Sequence, residues 1–311
     1  MDNELPDEPG LTRVSPSKVV RPWQERLAAA PISWGACEVP GWGLMPEPER
    51  VLAEMEQLGV RATELGAPGF FPVDHREVCR MLERHHLELV GGFCPLVLHE
   101  PRCDAAEARD AALDLARAGG RILVLALVQD ARWSAPQELD DGAWSRLADH
   151  VARLRALAAR CGVTVALHPH VDTLIETAEH VQHALERLDV GWCLDTGHLL
   201  IAGVDPAQFA REHGDRVVLV HLKDVDATLA ARLRAGRLSL LQGARQGLFL
   251  PLARGDARIG PVLQALAAHR YGGWLVLEQD TAITADEPAA QSAPSRDARQ
   301  SIAFLDDALR A

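Results

Sequence analysis

Short apolar runs alternate along this chain with longer segments of helical periodicity. Eight runs have the length and composition of buried β-strands, and they occupy residues 28–34, 61–66, 87–93, 121–127, 163–168, 190–195, 216–221 and 272–278. Amphipathic stretches lie between several of them, at 48–59, 76–86, 104–120, 143–162 and 177–188. Their apolar positions recur at the spacing of helical turns, which predicts helices. A glycine closes several of these stretches, as is common at helix ends.

This alternation favours one fold class. Eight predicted strands that alternate with helices predict a closed parallel (β/α)8 barrel, a TIM barrel, over residues 26–311. The alternative is an open doubly wound sheet, which would normally carry a Gly-rich phosphate loop after its first strand. Residues 33–43 occupy that position, and their sequence SWGACEVPGWG lacks the GxGxxG pattern. We therefore predict the barrel.

Three segments depart from the alternation. Residues 1–25 contain prolines and scattered charges and predict a flexible N-terminal tail. Residues 226–250 form an insertion before the eighth predicted strand, with helical period in its first half, and residues 281–294 form a low-complexity loop after that strand. Both would leave the C-terminal face of a barrel, where active sites are built. Each is therefore a candidate lid or, alternatively, a surface insertion.

Composition narrows the classes of partner. The 311 residues are 48% hydrophobic and carry a formal net charge of −12, which argues against nucleic acid and anionic membranes. No apolar run approaches the roughly 18 residues of a membrane span, and the acidic N-terminus does not resemble a signal peptide. The six cysteines include no CxxC pair and are typical of reduced thiols. We expect a cytoplasmic protein that acts on a small molecule.

The last four predicted strands each end in a side chain that binds metals in other proteins. These side chains are His168, Asp195, His221 and Glu278. Each alone has a structural alternative, such as a turn or helix cap for Asp195. All four occupy equivalent points of the repeat, and strand ends converge at the mouth of a barrel. We therefore predict one divalent metal site, and its nitrogen and oxygen ligands suit Mn, Fe, Co or Zn.

Lys223 stands two residues after His221, and Lys18 is the only other lysine of the chain. Residues two apart face the same side of a strand, so the ammonium of Lys223 is expected at the mouth, where it can donate to a substrate oxygen. Near the other strand ends, Trp34, Trp42, Phe70 and Phe71 are candidates for an apolar wall beside a polyol or cyclitol ring, or are simply packed. The residues predicted to bind substrate are Trp34, Glu64, Phe70, His170, His198 and Lys223.

Several stretches resemble the xylose isomerase-like barrel superfamily of sugar isomerases and epimerases, and most of all its inosose (2-keto-myo-inositol) dehydratases. The stretches are 64–72, 138–144, 162–173, 193–206, 215–225 and 271–280. The resemblance implies a metal held by Glu, Asp, His and Glu, of which the last three correspond to Asp195, His221 and Glu278. His168 stands where related enzymes carry the first Glu, so His168 is the expected fourth ligand and His170 is the alternative. Mn or Co is the favoured metal.

The resemblance also implies a reaction. Epimerases of this class use two metal-bound carboxylates on opposite faces of a carbon. In this chain His168 stands in the place of one of them. A dehydratase needs a base for the C–H beside a ketone and an acid for the leaving hydroxyl. Glu278, His198 and His170 are the candidate bases, and Lys223 is the candidate donor. The alternatives are a sugar isomerase or epimerase and a non-catalytic sugar-binding barrel, and either a monomer or a homo-oligomer fits the sequence.

Overall fold

A computed structural model describes residues 21–101, 105–283 and 288–310. The strands are β1 (Leu27–Ala29), β2 (Ala62–Thr63), β3 (Glu88–Leu89), β4 (Gly91–Leu96), β5 (Ile122–Leu127), β6 (Thr164–Leu167), β7 (Gly191–Asp195), β8 (Val217–Leu222), β9 (Asp224–Val225), β10 (Phe249–Leu250) and β11 (Leu275–Leu277). The α-helices are α1 (Pro48–Gln57), α2 (His75–Arg84), α3 (Ala105–Arg117), α4 (Asp141–Arg160), α5 (Ala178–Arg187), α6 (Thr196–Ala202), α7 (Pro206–His213), α8 (Ala227–Arg234), α9 (Leu240–Arg245), α10 (Ile259–Ala268) and α11 (Pro288–Arg310). Every predicted strand overlaps an observed one, which confirms the predicted alternation.

The parallel strands close into a barrel. They form one sheet in the order β3-β2-β1-β11-β8-β7-β6-β5-β4. The strands at the two ends of this order, β3 and β4, are consecutive in the chain and are separated by Val90 alone. The N–H of Val90 donates to the carbonyl of Thr63, and its own carbonyl accepts from the N–H groups of Arg121 and Ile122. β3 and β4 therefore share one position, and the sheet is the predicted (β/α)8 barrel.

Each position of the barrel contributes a small or aliphatic side chain to the interior. The residues of this layer are at most 1% exposed, and they are Ala28, Ala62, Val90, Val124, Ala166, Cys193, Leu219 and Val276. Side chains alternate across a strand, so Leu123 and Leu125 belong instead to the larger apolar cluster that contains the helices. Because apolar side chains fill the interior, the polar side chains of the strands meet at its carboxyl end.

The insertion at 226–250 is folded. β9 pairs antiparallel with β10, and α8 and α9 lie between these two strands. The insertion packs in an apolar cluster of its own, which contains Val171, Ile201, Val225, Ala230, Leu233, Leu238, Leu248 and Phe249. Helical period was predicted for its first half alone. The second half also contains a helix, α9, which begins at a capping box formed by Ser239 and Gln242.

The two remaining segments fall partly outside the described residues. The described residues do not include 1–20 of the predicted tail or 284–287 of the predicted loop. Trp23, inside the predicted tail, is 8% exposed and packs in the main core. α11 begins at Pro288, within the segment expected to be a loop, because proline at a helix start followed by alanines favours a helix. Among the described residues, no helix combines the length and the apolar character needed to cross a bilayer.

Candidate metal centre

The four predicted metal ligands lie together at the carboxyl end of the barrel. His168 follows β6, Asp195 ends β7, His221 lies in β8 and Glu278 follows β11. Nε2 of His168 is 3.3 Å from Oδ2 of Asp195, and Nδ1 of His221 is 3.6 Å from the same oxygen. Nδ1 of His221 is also 2.7 Å from Oε2 of Glu278. The four side chains are at most 10% exposed.

These separations suit donor atoms around one cation. In a tetrahedral site with bonds of about 2.1 Å, ligand atoms lie about 3.4 Å apart. Among the described residues, three overlapping groups of donors lie within 4.8 Å of one another: His168 with Cys193 and His221, His168 with Asp195 and His198, and Glu64 with His221 and Glu278. No group contains all four predicted ligands, but the contacts of Asp195 and His221 connect the groups. The predicted point of the barrel therefore offers a metal site with more than one combination of ligands.

The surroundings of Nδ1 of His221 suit a metal site better than a hydrogen-bonded network. Nδ1 of His221 is buried and has no hydrogen-bond partner. Oε2 of Glu278 is 2.7 Å away, but the angles between the two groups do not suit a hydrogen bond. Burial lowers the pKa of His221, but the negative groups around it, among them Glu278 and Glu64, raise it well above its usual value. A cation bound here would therefore take the place of the Nδ1 proton and accept the lone pair of this nitrogen.

Negative charge is concentrated at the same point. The acidic side chains at the mouth are Glu64, Asp195, Glu278 and Asp280, and burial raises the pKa of Asp280 to about 7. Burial raises the pKa of Asp195, but Lys223 and His198 act against burial, and the pKa lies well below its usual range. Burial likewise raises the pKa of Glu278, and the opposing effects of His221 and Lys223 leave it lowered. Both carboxyl groups are therefore ionised and ready to bind a cation.

Lys223 is enclosed beside these carboxylates, with 0% exposure. Its Nζ lies 2.7 Å from Oε1 of Glu278, 3.0 Å from Oδ1 of Asp280 and 3.5 Å from Oδ2 of Asp195. A Cβ on Gly197 would lie 2.7 Å from Cγ of Lys223, so glycine leaves the room that this side chain occupies. Burial lowers the pKa of Lys223, but the three carboxylates raise it well above its usual value. Lys223 is therefore a buried cation held among carboxylates, and it is not one of the residues that line the cavity.

The two other predicted histidines pack ring against ring, with the planes tilted by 36°. The ring centroids of His170 and His198 are 4.0 Å apart. His170 lines the cavity, and its Nδ1 donates to the carbonyl of Val171 at 2.6 Å, which leaves Nε2 as an acceptor. His198 is 2% exposed, lies outside the cavity lining and packs against His170. Burial lowers the pKa of His170 to about 3 and that of His198 well below its usual value, so both rings are neutral.

A cavity of about 600 Å³ opens at the metal centre. Its polar lining includes Glu64, His168, His170, His221, Glu278 and Asp280. Ser239, Leu240 and Leu241, at the start of α9, line it as well. Arg245 at the end of α9 donates to the carbonyl of Gly41, in the loop after β1. The insertion therefore covers part of the mouth, in the position expected for a lid.

An aromatic wall forms another part of the cavity, and it shares Trp42 with the wall predicted from the sequence. Trp42, Phe93 and Trp133 line the cavity, and the rings of Phe93 and Trp133 are stacked at 6.2 Å with an interplanar angle of 16°. Trp133 has a left-handed backbone (φ 56), in a turn where Asp130 accepts from two N–H groups. Phe93 ends the third predicted strand, so applying the strand-end argument to apolar residues would have identified it.

Trp34 and Phe70, which were predicted to bind substrate, lie outside the cavity. Trp34 is 0% exposed, and its Nε1 donates to Glu54 of α1 at 2.8 Å. The physical reason is that β1 ends at Ala29 and a 3-10 turn beginning at Pro31 directs the indole toward the helices. Phe70 is 2% exposed and packs edge-on against Phe71 at 4.8 Å. These aromatic residues stabilise the core, and of the predicted wall Trp42 lines the cavity.

Relatives of known activity match most of the chain. It is 31% identical over 284 residues to the inosose dehydratase of Geobacillus kaustophilus (strain HTA426), with 86% of this chain and 91% of the relative covered. It is 32% identical over 268 residues to the rhizopine catabolism protein MocC of Rhizobium meliloti, with 82% of this chain and 81% of the relative covered.

Solved structures match the fold. One of them is a structure described as the IolI protein with a binding zinc atom. The chain superposes on it with a TM-score of 0.67 at 14% identity, and the match covers 91% of this chain and 97% of that one. For an L-ribulose 3-epimerase the TM-score is 0.64 at 19% identity, with 92% and 94% covered. Residues 52–308 match the family described as "Xylose isomerase-like TIM barrel". The chain therefore belongs to the xylose isomerase-like TIM barrel family.

Proposed function

We propose that this protein is a metal-dependent hydro-lyase that removes water from a keto-cyclitol such as 2-keto-myo-inositol (inosose). The observation that carries the proposal is the convergence of His168, Asp195, His221 and Glu278 within contact distance at one cavity. The substrate class comes from the inosose dehydratase of Geobacillus kaustophilus, which is 31% identical to this chain.

The proposed metal ligands are His168, Asp195, His221 and Glu278. Two imidazole nitrogens and two carboxylate oxygens suit Mn, Co, Fe or Zn, of which we favour Mn or Co. The contact between His168 and Asp195, 3.3 Å, supports His168 over His170 as the fourth ligand. A divalent cation bound here would polarise the ketone and acidify the neighbouring C–H bond.

Glu278 is the proposed proton carrier. It lines the cavity, and its Oε1 accepts a 2.7 Å hydrogen bond from Lys223, which fixes the carboxylate. Glu278 takes the proton from the carbon beside the ketone, and the electron pair of the broken C–H bond forms a C=C bond while the hydroxyl on the next carbon departs. The departing hydroxyl takes that proton, so the products are water and the unsaturated ketone.

The remaining cavity residues have proposed roles in substrate binding. His170 presents Nε2, an acceptor for a substrate hydroxyl, and the ring of His198 packs against the His170 ring and supports it. The stacked rings of Phe93 and Trp133 offer a flat apolar surface to the C–H face of a cyclitol ring. The cavity volume of about 600 Å³ is in the range of small-molecule sites and has room for a six-membered ring.

Turnover of 2-keto-myo-inositol tests the proposal directly. Purified protein loaded with Mn²⁺ or Co²⁺ should form the unsaturated ketone, which is followed by its ultraviolet absorbance, and chelation should abolish its formation. Loaded protein that leaves the ketone unchanged would contradict the proposal. Interconversion of ketoses without loss of water would instead identify an isomerase or epimerase. The dehydratase is favoured because His168 replaces one of the two carboxylates that epimerases of this class use.

A further inference from the structure

Glu64 contacts a proposed metal ligand from a distant part of the barrel. It directly follows β2, and its Oε1 is 3.1 Å from Nε2 of His221 in β8. β1 and β11 lie between β2 and β8 in the sheet, so the contact is made across the mouth rather than between paired strands. Both side chains are buried, with exposures of 8% for Glu64 and 3% for His221.

The two nitrogens of His221 have different surroundings. Nδ1 faces Glu278 at 2.7 Å and Asp195 at 3.6 Å and makes no hydrogen bond. Nε2 faces Glu64. A neutral imidazole carries its proton on one nitrogen and an acceptor lone pair on the other, so the partner of one nitrogen decides what the other can do.

We infer that Glu64 is the positioning residue of His221: it accepts the Nε2–H, and so directs the Nδ1 lone pair toward Asp195 and Glu278. Metal-binding histidines commonly donate their second N–H to a carboxylate or carbonyl, which sets the tautomer and the ring orientation. This role differs from the substrate contact predicted for Glu64 from the sequence. The inference rests on the metal centre of the proposed function and does not depend on which reaction occurs there.

A rival arrangement makes Glu64 itself a ligand. Donor atoms of Glu64, His221 and Glu278 lie within 4.8 Å of one another, so a cation on the Nε2 side of His221 is a geometric alternative. The Nδ1 side has more donors, because Asp195 lies there and brings His168 with it at 3.3 Å. The count of donors therefore favours Glu64 as a partner of the imidazole.

Metal affinity without substrate separates the two arrangements. The full chain is stripped with a chelator and titrated with Co²⁺ against a chromogenic competitor, and the visible spectrum of the Co²⁺ protein is recorded. The variants are Glu64→Ala, which removes the acceptor, and Glu64→Gln, which keeps an acceptor oxygen on a chain of the same length. Glu38→Gln is the matched control, because Glu38 lines the same cavity and makes no contact with His221 in the described part of the chain.

We expect Glu64→Ala to raise the dissociation constant by about 10–100-fold, the usual effect of losing such a partner. Glu64→Gln should raise it by less than about tenfold and keep the shape of the Co²⁺ spectrum. Glu38→Gln should stay within about twofold of the wild type, since the metal contacts are unchanged. Circular dichroism and thermal unfolding of each variant check the fold, and Glu64→Gln decides the matter if Glu64→Ala does not fold.

Two results would overturn the inference. Wild-type affinity in Glu64→Ala would show that the contact does not orient His221. A changed Co²⁺ spectrum together with a loss beyond about 1,000-fold in Glu64→Gln would identify Glu64 as a ligand, since that far exceeds the effect of an outer partner. Wild-type protein that binds Co²⁺ but does not dehydrate inosose would refute the proposed reaction and leave this inference standing. Wild-type protein that binds no divalent cation would refute both.

Discussion

Replacing Lys223 with methionine should destabilise the metal-free protein strongly. The ammonium is fully buried and lies within 2.7–3.5 Å of three carboxylates. Methionine has a similar length and leaves those carboxylates without their cation. Breaking a buried ion pair by removing one partner costs about 3–5 kcal/mol. We expect about 3 kcal/mol, the lower end, because the carboxylates can take up protons in the variant.

Thermal and urea unfolding of the stripped protein measure this cost. For a domain of this size, about 3 kcal/mol corresponds to a fall in Tm of about 6 °C. Arg310→Met is the matched control, because Arg310 pairs with Asp306 at the surface and is 70% exposed. Loss of such an exposed pair should change the free energy of unfolding by less than about 0.5 kcal/mol.

The reasoning fails if Lys223→Met unfolds within about 0.5 kcal/mol of the wild type, the range of a neutral surface substitution. That result would mean that water solvates Glu278 and Asp280, or that protons neutralise them, and that the ammonium does not stabilise them. A loss of turnover in the same variant with unchanged stability would instead support direct proton donation by Lys223 to the substrate.

Four further substitutions test the site and its surroundings. Asp195→Asn and His221→Ala should each reduce Co²⁺ affinity by more than about 100-fold, because they remove ligands rather than outer partners; retained metal and turnover in Asp195→Asn would contradict the ligand set. Trp133→Ala should raise KM for inosose about tenfold with kcat within about twofold, because a stacking wall binds substrate and transition state alike; an unchanged KM would remove Trp133 from the binding wall. Trp34→Ala should lower the free energy of unfolding by about 3–5 kcal/mol without changing KM, and a raised KM at normal stability would restore its predicted substrate contact.

Local patterns predict the barrel and the convergence of four strand-end side chains, for a physical reason. Eight apolar runs require eight buried strands, and a closed parallel sheet brings their carboxyl ends together. His168, Asp195, His221 and Glu278 stand at equivalent points of that repeat, so strand position alone brings them into contact. Strand alternation also puts Lys223 on the same side as His221.

Such patterns do not predict the features that depend on side-chain packing. Trp34 follows a three-residue strand and a 3-10 turn, and nothing in its local sequence tells which way the indole points. Glu64 and His221 are 157 residues apart, and their contact depends on how two side chains extend over the mouth. The position of Trp133 depends on a left-handed turn stabilised by Asp130, within a segment that has no periodic pattern.

The cavity draws its two sides from separate parts of the chain. The strand ends supply the candidate metal ligands on one side of the cavity. The start of α9 covers the other side as a roof, and it belongs to an insertion that packs in a separate apolar cluster. Substitutions in the roof can therefore reshape the space above the reacting carbon while the groups that move protons keep their places. A lineage could exchange one ring-shaped substrate for another by altering residues 226–250 and conserve the same elimination chemistry beneath.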